Sequence, residues 1–125
     1  MPQTENATGA KEIVTEYFKR LYANGWEALI GDDMVFTSPA GVTRGKAEYV
    51  DGTNRFKQVA KSVEVNQLIV EDDNVCAITR YRLQSPKGNV SSCDTMEVFS
   101  VRDGQIRSSR ICFDTAAFGE FMAQG

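Results

Sequence analysis

Four consecutive strand-like segments occupy the second half of the chain. They read SVEVNQLIV, NVCAITRYRLQ, NVSSCDTMEVFSV and QIRSSRICFD, over residues 62–70, 74–84, 89–101 and 105–114. Each segment is rich in β-branched or aromatic residues, and short polar turns separate it from the next. The last turn contains Asp103-Gly104, a pair typical of two-residue hairpins because both residues tolerate positive φ. The pattern predicts an antiparallel meander of four strands.

The first half of the chain predicts helices. Apolar residues recur at spacings of three and four over residues 9–24, which indicates one buried helical stripe. WEALI, residues 26–30, is interpreted as a second, short helix that GDD ends before a strand at residues 34–37. A third helix is expected after Gly45, and the chain closes in a short apolar helix or tail. We therefore predict an α+β fold: a curved, mainly antiparallel sheet wrapped around helices, forming a cone-shaped barrel with an internal pocket.

The charge and length of the chain limit its domains and partners. Fourteen basic residues, scattered among seventeen acidic ones, leave a formal net charge of −3, which argues against binding nucleic acid. No stretch approaches the roughly 18 apolar residues that a membrane helix needs, so no membrane contact is expected. With 125 residues, the chain is predicted to form a flexible tail over residues 1–8 and a single domain over 9–125.

Cysteine and histidine usage narrows the chemistry further. The three cysteines are an odd number inside apolar runs, which predicts buried, reduced thiols rather than disulfides. Together with a polar N-terminus unlike a signal peptide, this favours a cytoplasmic location. The chain contains no histidine, which excludes histidine-based triads and HExxH zinc sites. With no CxxC pair or phosphate-binding glycine loop either, no metal and no cofactor are expected.

Three stretches, in order, resemble the nuclear transport factor 2-like superfamily, which includes SnoaL-like polyketide cyclases and ketosteroid isomerase. EYFKRLYANGWEALIGDDMVFTSPAG resembles the first helices and the strand-Pro-x-Gly turn, RGKAEYV the start of the third helix, and MEVFSVRDGQIRSSRICFD the last hairpin. The resemblance spans residues 9–114. It implies a pocket for a small, largely apolar molecule and a homodimer formed through the outer face of the sheet.

The resemblance also implies roles for single residues. Ser38, directly before Pro39, occupies the position of the isomerase's general-base aspartate. A serine does not accept a proton at neutral pH unless a base activates it, and no histidine is present to do so. Tyr17 falls on the oxyanion-hole tyrosine of that enzyme, and Glu97 falls on its protonated aspartic acid. Two proton donors are thus retained while the base is lost.

The residues themselves leave alternatives for both acids. Strand alternation puts Glu97 on the same side as Phe99, where a carboxyl would be protonated, paired or functional if the face is enclosed. Alternatively, Glu97 pairs with Arg80 or Arg82, although their alternation favours the solvated face. Tyr17 lies on the buried helical stripe, so it is either a core aromatic or a ligand-facing donor.

These observations predict a small-molecule pocket protein of the SnoaL-like type. Tyr17 and Glu97 are the predicted catalytic residues, acting as acid or oxyanion groups of an isomerase, cyclase or hydrolase. The predicted ligand contacts are Trp26, Phe36, Ser38, Phe56, Phe99 and Phe113. The alternative is a non-catalytic binding protein or a dimeric interaction module.

Overall fold

The computed structural model describes the backbone of residues 2–124 and the side chains of residues 9–124. In chain order, the described elements are α1 (Pro2–Leu21), a 3₁₀ helix (Trp26–Leu29), β1 (Ile30–Ser38), β2 (Gly41–Arg44), α2 (Lys46–Phe56), β3 (Ala60–Glu71), β4 (Asn74–Gln84), β5 (Val90–Arg102), β6 (Gln105–Phe113) and α3 (Thr115–Ala123). No helix in this part of the chain is both long enough and apolar enough to span a membrane.

All six strands form one sheet in the order β2-β1-β6-β5-β4-β3. The predicted meander runs from β3 to β6 with antiparallel neighbours, and β1 joins β6 as the single parallel pair among the described strands. Helix α1 contacts β3, β4, β5 and β6, and the sheet curves around it. The predicted α+β fold with a curved, mainly antiparallel sheet is confirmed.

The sequence interpretation missed part of the sheet and misplaced some boundaries. β1 begins at Ile30, so GDD belongs to the strand, and the β1–β6 register shifts between Ile30 and Val35. Polar residues in a bulged strand break the expected alternation, which is why GDD looked like a helix stop. The four-residue strand β2 was not predicted, because it is short and flanked by glycines. Helix α1 spans Pro2–Leu21 rather than residues 9–24. The predicted flexible tail, residues 1–8, lies outside the residues whose side chains the structure describes, and it stays a prediction.

Strand β5 shows the alternation that the sequence indicated. Thr95, Glu97 and Phe99 are buried on the inner face, while Asp94 and Met96 are exposed on the outer face. Since the inner face of β5 lies beneath α1, its polar residues are removed from bulk water. The expected burial of all three cysteines is wrong: Cys76 and Cys93 are half-buried, and Cys112 is an exposed free thiol on the outer face of β6.

Helix α3 is capped by Asp114, whose Oδ1 accepts a hydrogen bond from the backbone N–H of Ala117 at 3.0 Å. We expect Asp114→Ala to lower the free energy of unfolding by about 1 kcal/mol, because the cap satisfies an otherwise unpaired helix N–H. Asp114→Asn retains an acceptor and should lose only a few tenths. Urea unfolding of both variants checks this, and equal stability of Asp114→Ala and wild type would contradict it.

Candidate functional site

A cavity of about 280 Å³ lies between the inner face of the sheet and the helices, partly open to solvent. Its lining is mainly apolar, and α1, α2, α3 and five of the strands contribute to it. Six of the eight predicted site residues line it: Tyr17, Phe36, Ser38, Phe56, Glu97 and Phe113. A concave, mainly apolar hollow with a few polar groups is the usual form of a small-molecule site.

Trp26 and Phe99 are the two predicted contacts that the structure does not bring to the described cavity lining. Both are at most 2% exposed and pack against Tyr17, with ring centroids 5.9 Å and 5.5 Å from its ring. The alternation of β5 correctly turns Phe99 inward, but α1 covers this part of the sheet, with Phe18 5.6 Å from Phe99. The two aromatics therefore support the wall of the cavity from behind.

The carboxyl group of Glu97 is buried on the central strand β5 and is only 3% exposed. The Ser109 hydroxyl, on β6, donates a hydrogen bond to its Oε2 at 2.5 Å. Burial raises the pKa of Glu97 from its ordinary value of 4.5 to about 7, and the Ser109 hydrogen bond partly opposes this shift. Glu97 is thus a carboxyl poised between its neutral and ionised forms at neutral pH.

The alternative partners of Glu97 lie on the other side of the sheet. Arg80 and Arg82 are exposed on the outer face, as their alternation predicted. Arg80 forms a two-pronged ion pair with Asp94 of the neighbouring strand, with Nε 2.7 Å from Oδ1 and Nη2 3.2 Å from Oδ2. The predicted alternative in which Glu97 pairs with an arginine is therefore wrong.

Two tyrosines form a second polar group on the cavity wall. The Tyr17 hydroxyl on α1 lies 2.7 Å from the Tyr49 hydroxyl on α2, and both side chains are buried. Burial raises the pKa of Tyr17 well above its usual value, as it also does for Tyr49, so both phenols keep their protons. One phenol donates to the other, so at most one O–H of the pair remains for an acceptor in the cavity, and Thr53 is a further hydrogen-bond partner of Tyr49.

Tyr49 and Tyr81 line the cavity but were not among the predicted site residues. Tyr49 lies on the apolar face of α2, and a buried phenol needs a hydrogen-bond partner, so a signal was present in the sequence. Tyr81 faces inward from β4, as the alternation around Arg80 and Arg82 indicated. Burial, followed by the nearby Glu97, raises the pKa of Tyr81 well above its usual value.

Ser38 lines the cavity, but its hydroxyl has a local structural partner. Its Oγ accepts a hydrogen bond from the backbone N–H of Ala40 at 3.1 Å, within the turn between β1 and β2. A serine at the end of a strand commonly stabilises the turn that follows in this way. The site position at which the resemblance implies a general base thus holds a turn-forming hydroxyl.

The rim of the cavity carries charged side chains. Arg55 pairs with Asp51 one helical turn earlier, at 3.0 Å. The Lys57 ammonium lies over the rings of Tyr22 and Trp26, 5.3 Å and 5.8 Å from their centroids, as a cation–π contact. Among the residues whose side chains are described, no group of three or more Cys, Asp or Glu is spaced to hold a metal ion.

Solved structures share this architecture. A candidate SnoaL-like polyketide cyclase from Jannaschia sp. CCS1 superposes with a TM-score of 0.85 at 18% identity, over 96% of this chain and 95% of that one. An NTF2-like protein of unknown function from Burkholderia pseudomallei K96243 gives 0.81 at 15% identity, over 91% and 97%. TerC, co-crystallised with polyporic acid, gives 0.78 at 18% identity, over 90% and 96%. At these identities the likeness shows a shared fold.

Sequence comparison assigns the family. No curated protein matches the chain in sequence. The family model of the SnoaL-like domain matches residues 10–109, which run from the buried face of α1 to Ser109 on β6. The match therefore covers most of the chain, including both Tyr17 and Glu97. The chain belongs to the SnoaL-like family.

Proposed function

We propose that this protein binds a small, largely apolar molecule with one or two oxygen atoms, and that Tyr17 and Glu97 act as proton donors to such an oxygen. The observation that carries the proposal is a buried carboxyl with a pKa of about 7 on the wall of a mainly apolar cavity. Buried ionisable groups with strongly shifted pKa values are concentrated at functional sites. TerC, crystallised with polyporic acid, supports a small organic ligand for this fold.

The chemistry that suits these groups is stabilisation of an enolate-like oxygen, as an isomerase or cyclase requires. Hydrogen-bond donors held in a water-poor site stabilise developing charge on oxygen, because they need little reorganisation during the reaction. Glu97 also titrates near neutral pH, which is the range in which a general acid or base is most effective. Since Ser38 supplies no base, a water molecule in the partly open cavity would have to take the proton from carbon while Tyr17 and Glu97 donate to the oxygen.

Ligand binding can be tested through Trp26, the chain's one tryptophan, whose ring lies 5.9 Å from that of Tyr17. We expect 4-nitrophenol to quench Trp26 fluorescence saturably, because it combines an apolar ring with a single acidic oxygen. Cys93→Phe should abolish the saturable quenching, since Cys93 lines the cavity. Ser92→Phe, on the outer face of the same strand, is the matched control and should bind like wild type. Equal quenching of both variants would contradict binding in the cavity.

A non-catalytic binding protein is the second candidate, and the Ser38 turn favours it. Because the Ser38 hydroxyl is already engaged by Ala40, it offers no route to a general base at this position. The two candidates differ in turnover. An enzyme of the isomerase type should accelerate deuterium exchange at the carbon next to the carbonyl of a small bound ketone, whereas a binding protein should hold the ketone without exchange.

We also propose a homodimer formed through the outer face of the sheet, in the cytoplasm. The register places an apolar outer patch across β3–β6, consisting of Ile69, Ile78, Met96, Val98 and Cys112. Met96 is 54% exposed and Ile69 is 50% exposed. Contiguous exposed apolar surface of this kind is typical of protein–protein contacts. The free thiols are consistent with a reducing compartment.

Charges in the outer patch should break such a dimer. We expect Met96→Lys combined with Val98→Lys to convert a dimeric wild-type protein into a monomer, because two like charges would face each other across a twofold contact. Sedimentation velocity at several protein concentrations measures the change. Val90→Lys, at a 74% exposed position at the start of β5, is the control and should stay dimeric. A monomeric wild-type protein would contradict the proposal.

A further inference from the structure

The hydrogen bond between Ser109 and Glu97 engages only one of the two carboxyl oxygens. Ser109 lies opposite Phe99 in the β5–β6 register, and Phe99 follows Glu97 by two residues on β5. Ser109 therefore points to the same inner face as Glu97. Its hydroxyl reaches Oε2 at 2.5 Å, and each of the two residues is 3% exposed. A carboxyl and a hydroxyl that are both removed from bulk water are thus in direct contact.

The other oxygen, Oε1, has no hydrogen-bond partner among the described residues. If Oε1 were fully buried, it would be a buried side-chain oxygen without a partner, and the described residues contain no such atom. Oε1 is therefore not sealed in the core. Glu97 also contributes to the cavity lining. Taken together, these observations leave Oε1 as the carboxyl atom that meets the cavity.

We propose that Ser109 is a positioning residue whose hydrogen bond to Oε2 keeps the acidic proton of Glu97 on Oε1, where it faces a bound ligand. This inference deepens the proposed function and rests on it. When the O–H bond at Oε1 breaks, the proton forms a new O–H bond with the ligand oxygen and the electron pair stays on the carboxylate. Ser109 then stabilises that carboxylate, and the proton returns to the same oxygen.

Ser109 donates a hydrogen bond to Glu97, and the titratable side chains that face the carboxyl group are neutral. Tyr17 from α1, Tyr49 from α2 and Tyr81 from β4 face it, and burial keeps all three phenols neutral. Cys93, which lies opposite Tyr81 in the β4–β5 register, has a pKa raised by burial and is a neutral thiol as well. In the described part of the chain, no Lys or Arg pairs with the carboxyl group. Removing the Ser109 hydroxyl should therefore have a clear effect on the titration of Glu97.

The test is a carbon-13 NMR titration of the glutamate side chains, with Glu97→Gln used to assign the Glu97 signal. We expect Ser109→Ala to raise the pKa of Glu97 by about one unit, because a hydrogen bond to the charged form is lost. Ser109→Thr restores a hydroxyl and should return the pKa close to the wild-type value. Ser108→Ala, at the neighbouring position on β6, should leave it unchanged. After correction for the phenol's own ionisation, the pH profile of 4-nitrophenol binding should move with the Glu97 titration in each variant.

The outcomes separate this inference from the proposed function. If Ser109→Ala leaves both the titration and the binding profile unchanged, while Glu97→Gln removes the part of the pH dependence that the phenol's own ionisation does not explain, Ser109 has no positioning role but the proposed function stands. If Glu97→Gln binds 4-nitrophenol with the wild-type pH profile, the proposed function itself fails. Should Ser109→Ala not fold, Ser109→Cys keeps the volume with a weaker donor, and an unchanged pKa in that variant overturns the inference equally.

Discussion

Glu97→Gln is expected to remove a loss of stability that the wild-type protein shows as the pH rises. Folding raises the pKa of this carboxyl from 4.5 to about 7, so the native state favours the protonated form. Below the unfolded pKa the carboxyl is protonated in both states and does not lower the free energy of unfolding. As the pH rises from the unfolded to the folded pKa, the free energy of unfolding falls, and above the folded pKa the whole decrease has taken place. At 1.36 kcal/mol per pKa unit, the free energy of unfolding should fall by about 3 kcal/mol over this interval.

Urea unfolding at a series of pH values from about 4.5 to 8 measures this effect. The variant Glu97→Gln should lack the decline, and Glu71→Gln, at an exposed position at the end of β3, should keep the wild-type profile. The pKa values of Asp33 and Asp94 are lowered by hydrogen bonds to Arg107 and Arg80, so their effects fall at more acidic pH and in the opposite direction. A wild-type stability that is constant or rises across this range would contradict a buried carboxyl that has no cationic partner.

Tyr17→Phe should slow catalysis of enolisation by about 100-fold, which is the loss expected when one donor to a developing oxyanion is removed. Ketone deuterium exchange provides the assay. Because the hydroxyls of Tyr17 and Tyr49 lie 2.7 Å apart, Tyr49→Phe should also impair the reaction, and the double variant should lose less than the two single effects combined.

Tyr22→Phe is the matched control, since the Tyr22 hydroxyl donates to the backbone carbonyl of Ala60, and Tyr22 is not part of the described cavity lining. We expect this variant to exchange ketone protons at the wild-type rate. Equal rates for Tyr17→Phe and Tyr22→Phe would contradict a proton-donating role for Tyr17. If the wild-type protein binds the ketone without accelerating exchange, the binding-protein alternative is supported instead.

The fold was largely accessible from the sequence because its signals are local. Hairpin turns and period-two alternation determine the meander, and the alternation of β5 correctly turned Glu97 inward. The outward position of Arg80 followed from the same rule, and its partner Asp94 lies directly opposite in the β4–β5 register. Local signals failed at Gly31-Asp32-Asp33, where polar residues continue a bulged strand, and at β2, which is too short to carry a pattern.

The site was less accessible, because its contacts join distant segments. Tyr17 and Tyr49 are separated by 32 positions, and their contact depends on how α1 and α2 cross the same sheet. The Ser109 contact is diagonal across β5 and β6, so it requires a register that hydrophobic patterning alone does not specify. Likewise, only the path of α1 explains why Phe99 faces inward and yet lies outside the described cavity lining.

The proposed function depends on Glu97 being a carboxyl that is withdrawn from bulk water on the wall of a ligand cavity. The most direct measurement is the carbon-13 titration of its side chain in the wild-type protein, with and without 4-nitrophenol. We predict a pKa of about 7 for the free protein, and a change in it when the phenol binds. A pKa near the ordinary value of 4.5, unaffected by the phenol, would contradict both the burial of the carboxyl and its contact with the ligand.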